Sequence, residues 1–402
     1  MKKRKLLFCF CILLAMLMML LPADCLAEPE NEDNEDNNDS SAELEEELKR
    51  LASETDFSSW QAYFDELKAS DTAMSEYASV GEFIEYLALG EASIDTGDGI
   101  GLIKNLFLPK LRAALAELVT VIALSLLSGL CGIALGDDSG TKQVLMLIIS
   151  GVSILALVAY FTSIAAEAVN TVSRIGNFCS LAAPVLLGLM TALGCAGTVK
   201  VMSPMLVLLS NSILVVLGKI VLPLLIAGGV VVAVNALSDK LKLSRTVKLI
   251  QNTVKWLLGL VTTVYIAATS IGGIAAGAAD GVSIRTAKYA IDKLIPAVGG
   301  MVGSAVDAVI GGGIVLKNAA GVTAILILAG ISLGPVLKLF AGMTALRISA
   351  AIAEPFSDNR ITQLLDGTAD IVSYLFAAVC AACSLLLISI MIIIATGNTL
   401  IG

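Results

Sequence analysis

Of 402 residues, 57% are hydrophobic and only 15% are charged, with a mean hydropathy of +0.88; ordinary soluble domains carry about a quarter charged residues, so a soluble protein is excluded, as are collagen, disordered and disulfide-dense secreted classes. The net charge of −9 conceals a division: residues 1–27 carry +3, residues 28–99 carry −19 (22 acidic, 3 basic) and residues 100–402 carry +7 (12 acidic, 19 basic). Histidine is absent, which removes Ser/His/Asp and Cys/His nucleophiles, the common zinc sites and imidazole proton relays.

Residues 1–27 read as a secretory signal. Lys2, Lys3, Arg4 and Lys5 form the charged region, 6–21 the apolar run, and Cys25-Leu26-Ala27 a small-residue site with cleavage after Ala27. Two alternatives stand beside it. A lipoprotein would use Cys25, against the poor fit of Asp24; an uncleaved anchor would use the 16-residue run, which is short of the roughly 20 that a span needs. Each places the following residues outside the cytoplasm.

Residues 28–41 are a Glu, Asp and Asn tract without an aromatic, a composition that favours a disordered linker. Residues 42–99 form the extracytoplasmic segment. Leu44, Leu48 and Leu51 step by four and three, and Phe57, Trp60, Phe64 and Leu67 repeat the pattern, which predicts two or three short amphipathic helices. Their apolar stripes need a partner, whether one another, the membrane surface or another protein.

Residues 100–402 form the membrane domain. Apolar runs occupy 118–135, 144–166, 175–194, 203–237, 256–274, 322–339 and 371–396. The fourth is 35 residues long and is interrupted by Gly218-Lys219 and Pro223. Residues 238–255 then carry Lys240, Lys242, Arg245, Lys248 and Lys255 against Asp239 alone, the strongest positive-inside signal in the chain. Returning that loop to the cytoplasm takes two crossings through 203–237, so the reading is an all-α polytopic protein with about eight spans and a tight or re-entrant hairpin near Lys219.

Within the basic region, 240–256, Leu243, Val247, Ile250, Val254 and Leu257 recur at helical spacing, which predicts an interfacial amphipathic helix. Its five cations are candidate topology and lipid anchors; a docking surface for a cytoplasmic partner is the other reading.

Residues 280–321 are too glycine-rich and charged for a plain helix and too apolar for an ordinary loop, which predicts an irregular or re-entrant segment broken at Pro296. Asp307 lies at the centre of an apolar stretch, where an ionised carboxylate needs water or a partner such as Lys293 or Lys317. Asp307, Lys293, Lys317, Pro296, Gly299 and Gly300 are therefore candidate conduit or packing residues.

Other features carry less. Gly218-Lys219 is followed by Ile220, so no phosphate cradle forms, and Gly299-Gly300 and Gly311-Gly312-Gly313 follow no strand, so dinucleotide binding is weakly signalled. Glu117, Glu167, Arg112 and Arg174 read as snorkelling groups at membrane edges. Cys380-x-x-Cys383 lies among Ala and Leu, which suits helix packing better than thiol chemistry. No catalytic residue, metal ligand or cofactor site emerges, and an enzyme is not expected.

The wording of Lys288 to Met301 (KYAIDKLIPAVGGM), Ala305 to Asp307 (AVD) and Lys317 to Gly321 (KNAAG) resembles the stage III sporulation protein AE family, and the likeness extends to the signal, the acidic segment and the multi-span body. That resemblance implies a non-enzymatic subunit of the secretion-like channel complex joining mother cell and forespore, in the mother-cell-derived membrane around the forespore. The implied partners are the other membrane and extracytoplasmic proteins of that complex, the lipid bilayer and further copies of the chain, with no nucleic acid. The alternative is a free-standing secondary transporter that uses broken helices and an intramembrane carboxylate.

Overall fold

Helix order follows from the apolar runs, but the helices are far longer than those runs. The computed structural model describes residues 48–68, 77–90, 99–134, 140–237, 243–294, 299–355 and 359–397; at 99–105, 132–134, 142–143, 237, 273–294, 299–310, 359 and 397 it describes the backbone alone. The signal, the acidic linker, Lys240, Lys242 and Pro296 lie outside the described residues.

A helix ending at residue 54 is followed by α1 (Ser58–Lys68) and α2 (Val80–Ala88). Helix α2 starts on a capping box: the Ser79 hydroxyl accepts from the Glu82 backbone N–H while the Glu82 carboxylate reaches back to the Ser79 N–H. The membrane body contains α3 (Gly99–Ala134), α4 (Gly140–Ala192), α5 (Ala196–Val216), a π turn (Leu217–Val221), α6 (Leu222–Leu237), α7 (Ser244–Leu294), α8 (Gly299–Ala353) and α9 (Asn359–Gly397). No strand occurs among the described residues.

Six helical stretches among the described residues are long and apolar enough to span a membrane, against the eight expected. Two expected breaks are filled by helix. The runs 144–166 and 175–194 belong to the single 53-residue α4, which extends about 80 Å. The hairpin expected near Lys219 is instead the π turn, and helix continues through it from Ala196 to Leu237. Pro223 supplies the reason. It has no N–H to give the Lys219 carbonyl, and its ring crowds that carbonyl, so the helix widens locally instead of reversing. The residues that suggest a turn therefore encode a bulge.

The glycine-rich stretch 280–321 is helical where its backbone is described, α7 running to Leu294 and α8 beginning at Gly299, and the break expected at Pro296 lies outside the described residues. Glycine here serves close packing. A β-carbon at Gly313 would overlap Leu193, and one at Gly321 would overlap Ile394.

Helices α4 and α5 are antiparallel about the turn at residues 193–195, where Gly194 adopts φ +82°. Gly176 lies against Leu214 of α5, and Gly229 of α6 lies against Phe161, which fixes the register of α4 against both. Helix α9 sits centrally, packed on α4, α6, α7 and α8. Helices α1 to α3 lie on the α4/α8 side, and α5 pairs with α7 on the other.

Candidate functional site

The best-defined polar feature of the body is built on the last part of the resembling motif. Lys317, in α8, is fully buried, and its Nζ donates to the Ile394 carbonyl at 2.7 Å. Ile394 lies in the last turn of α9, where carbonyls lack intrahelical partners and carry the negative end of the helix dipole. Gly321, one turn further along α8, lets the two helices approach. Lys317 thus caps a neighbouring helix. The adjacent Asn318 side chain has its Oδ1 buried without a hydrogen-bond partner among the described residues.

The segment before the membrane body docks close by. Leu51 reaches the Gly313 position beside Leu193, and Leu67 lies against Gly330. Trp60 is fully buried with its ring 6.0 Å from that of Phe178, Tyr63 meets the same ring at 5.2 Å, and the indole N–H points to the Leu181 carbonyl at 3.5 Å. Glu66 pairs with Arg174 at the rim. Between the helix ending at 54 and the end of α4 lies a cavity of about 340 Å³, floored by Val185, Leu189 and Ala192 and rimmed by Glu54, Thr55 and Asp56. Hydrogen bonds from the Ser58 side chain and backbone N–H hold the Asp56 carboxyl below its usual range.

The apolar stripes of the amphipathic segment therefore pack on α4 and α8 as well as on each other. Helical spacing showed which residues would be buried, namely Leu48, Phe57, Trp60, Phe64 and Leu67, but gave no signal for Phe178 as acceptor. Helix spacing likewise gave no sign of Tyr265 meeting Ser389 in the bundle, or of Glu167 pairing with Lys338 at 2.7 Å. Of the edge residues, Arg174 and Glu167 are thus ion-paired.

The remaining candidates are not brought to Lys317 by anything described. Asp307 and Lys293 have helical backbone, with side chains outside the described residues, and Gly299 and Gly300 open α8. Arg245, Lys248 and Lys255 are exposed on α7. The stripe between them, Val247, Ile250 and Val254, is buried, and 244–256 forms the first part of α7. No disulfide joins Cys380 and Cys383. No group of three metal-ligating side chains occurs among the described residues.

A match to the family described as stage III sporulation protein AE covers residues 78–397. The chain belongs to the stage III sporulation protein AE family. A curated relative, the stage III sporulation protein AE of Bacillus subtilis (strain 168), is 28% identical over 247 residues, 61% of each chain. The chain thus spans about three fifths of that relative's length. No solved structure matches. Within this sporulation family the matched region includes α2, every helix of the membrane body and the Lys317 cap.

Proposed function

We propose that this chain is a non-enzymatic membrane subunit of the channel-like assembly linking mother cell and forespore, contacting its partners through the helical segment before α3. The observation that supports this reading is the docked segment itself. Its apolar face is occupied by Phe178 and the α8 surface, while Asp65 is exposed and Asp56 and Glu66 are exposed at the rim beside α4. Such an arrangement presents a rigid acidic surface suited to a basic protein partner. The basic residues Arg245, Lys248 and Lys255 suit anionic headgroups at the cytoplasmic face. Three long apolar stretches precede them, so a segment that starts outside the cytoplasm leaves them inside it. Asp307 and Lys293 remain candidates for a conduit. Helix α7 ends at Leu294 and α8 begins at Gly299 on either side of Pro296, which both readings accommodate, and the channel-subunit reading takes precedence on the sporulation family match.

The deciding experiment is purification from sporulating cells with a tag on this chain. Recovery of other sporulation membrane proteins, lost on Asp65→Lys and Glu66→Lys substitution, is expected. Recovery of the chain alone, with solute uptake in vesicles, would replace the reading with the transporter.

A further inference from the structure

Helix α5 carries one polar group that its own fold leaves unsatisfied. Between Lys200 and Lys219 stand 18 residues without a charge, about 28 Å of helix, which matches a hydrocarbon thickness of about 30 Å. Asn211 lies near the middle of that run, about 16 Å along the axis from Lys200 and about 12 Å from Lys219. It is exposed on the outer face of α5, beside Val207, Leu208 and Val215, which are exposed as well. The adjoining α7 exposes Val264 and Ile271, and α1 to α3 pack on the other side of the bundle. No described part of the chain covers Asn211.

The exposed hydroxyls at the same depth are satisfied within their own helices. Ser212 donates to the Leu208 carbonyl at 2.7 Å, Thr263 to that of Gly259 at 2.8 Å and Ser270 to that of Ile266 at 2.7 Å. A hydroxyl needs only one acceptor, and the carbonyl one turn back supplies it. A carboxamide adds an acceptor oxygen to its two N–H donors. The helix interior has no N–H to give that oxygen, because each already serves the carbonyl four residues earlier. Asn211 makes no hydrogen bond among the described residues, and its side chain is too short to reach a headgroup layer as a lysine does. Left against acyl chains, such a group is costly.

We propose that α5 is a contact between two copies of this chain, closed by Asn211 on Asn211 about a two-fold axis along the membrane normal. Each carboxamide donates one N–H to the other's oxygen and accepts one in return. A second copy supplies this complement by construction, since it holds its own Asn211 at the same depth on the same face; lipid supplies none. Leu208 and Val215, one turn to either side of Asn211, pack across the contact. The crossing of the two helices carries the Lys200 and Lys219 pairs apart into the headgroup layers. This contact goes beyond the channel-subunit reading and holds whether or not the chain forms part of a channel.

The test uses the full-length chain with a donor or an acceptor fluorescent protein at its C-terminus, reconstituted together in vesicles of phosphatidylcholine and phosphatidylglycerol. Energy transfer is expected to rise with the protein-to-lipid ratio. Asn211→Leu is expected to move half-maximal transfer to a ratio about tenfold higher, through the loss of two interhelical hydrogen bonds. In detergent dilute enough to keep the chain monomeric, the same variant is expected to unfold at the wild-type temperature or above it, which separates a lost contact between copies from a damaged fold. Oxidation of Asn211→Cys, with the native cysteines replaced, is expected to give a disulfide-linked dimer, and Leu155→Cys on α4 to give none. Energy transfer that is absent in the wild type or unmoved by Asn211→Leu, a lowered unfolding temperature of the monomer, or dimers at Leu155 in preference to Asn211 would overturn the contact. Association with a different membrane protein and none between copies would overturn it too.

Discussion

The Lys317 ammonium group ends on the carbonyl of Ile394, 2.7 Å away and 77 residues on in the chain. A cation at the C-terminal end of a buried helix both donates to a carbonyl without an intrahelical partner and opposes the dipole. Lys317→Met keeps the packing but strands the carbonyl, a loss of about 1–3 kcal/mol, partly offset because no buried charge remains. Lys317→Glu puts an anion at the same negative helix end and is expected to abolish accumulation of folded protein. Thermal unfolding in detergent, followed by helical circular dichroism, distinguishes a small shift for Met from collapse for Glu.

Trp60 is the main anchor of the docked segment, with Phe57 and Phe178 around its ring. Trp60→Ala removes a fully buried side chain and is expected to cost about 3–5 kcal/mol of docking free energy. Limited proteolysis of detergent-solubilised protein then cleaves within 48–90 faster, while the membrane body keeps its unfolding temperature. Trp60→Phe retains part of the aromatic contact and falls between.

The Glu66–Arg174 pair crosses from α1 to α4 with both side chains partly exposed, 55% and 39%. Exposed pairs contribute about 0–1 kcal/mol, so Glu66→Lys or Arg174→Glu alone is expected to raise segment proteolysis only modestly. The double exchange restores the wild-type rate. A rate for the double exchange no better than for the singles would mean that the contact adds nothing to docking.

Acid is expected to loosen the start of α1. Asp56 is held ionised in the folded chain by hydrogen bonds from Ser58, so its folded pKa lies below its unfolded value. The stabilisation is present above the unfolded value near pH 4 and disappears as pH falls through the folded one. Proteolytic protection of 48–68 should therefore weaken below about pH 4, and Asp56→Ala should be less protected at neutral pH with a flatter response to acid. Pepsin digestion across pH 2–5 reads this.

Ser79 offers an independent check on the segment, since its capping box satisfies two backbone donors of α2. Ser79→Ala is expected to cost about 1 kcal/mol. Hydrogen exchange at 80–83 should accelerate, and exchange at 59–67 should change far less.

Much of this architecture is a local property of the chain. Period-3.6 spacing alone marked Leu48, Phe57, Trp60, Phe64 and Leu67 as one buried face, and apolar runs alone marked a helical membrane body, because burial of a stripe and satisfaction of backbone groups within a helix both act over a few residues. The partners of those faces are contacts at long sequence separation, and periodicity holds no record of them. Tertiary structure alone decided that Trp60 meets Phe178 and that Lys317 meets Ile394. The breaks show the same limit. Gly218, Lys219 and Pro223 are compatible with either a reversal or a π turn, and the bundle selects the π turn because α4 and α7 pack along both flanks of the continuous helix. The glycines of 311–321 likewise fit a loop or a close crossing. Leu193 and Ile394, brought against them from distant helices, make them a crossing.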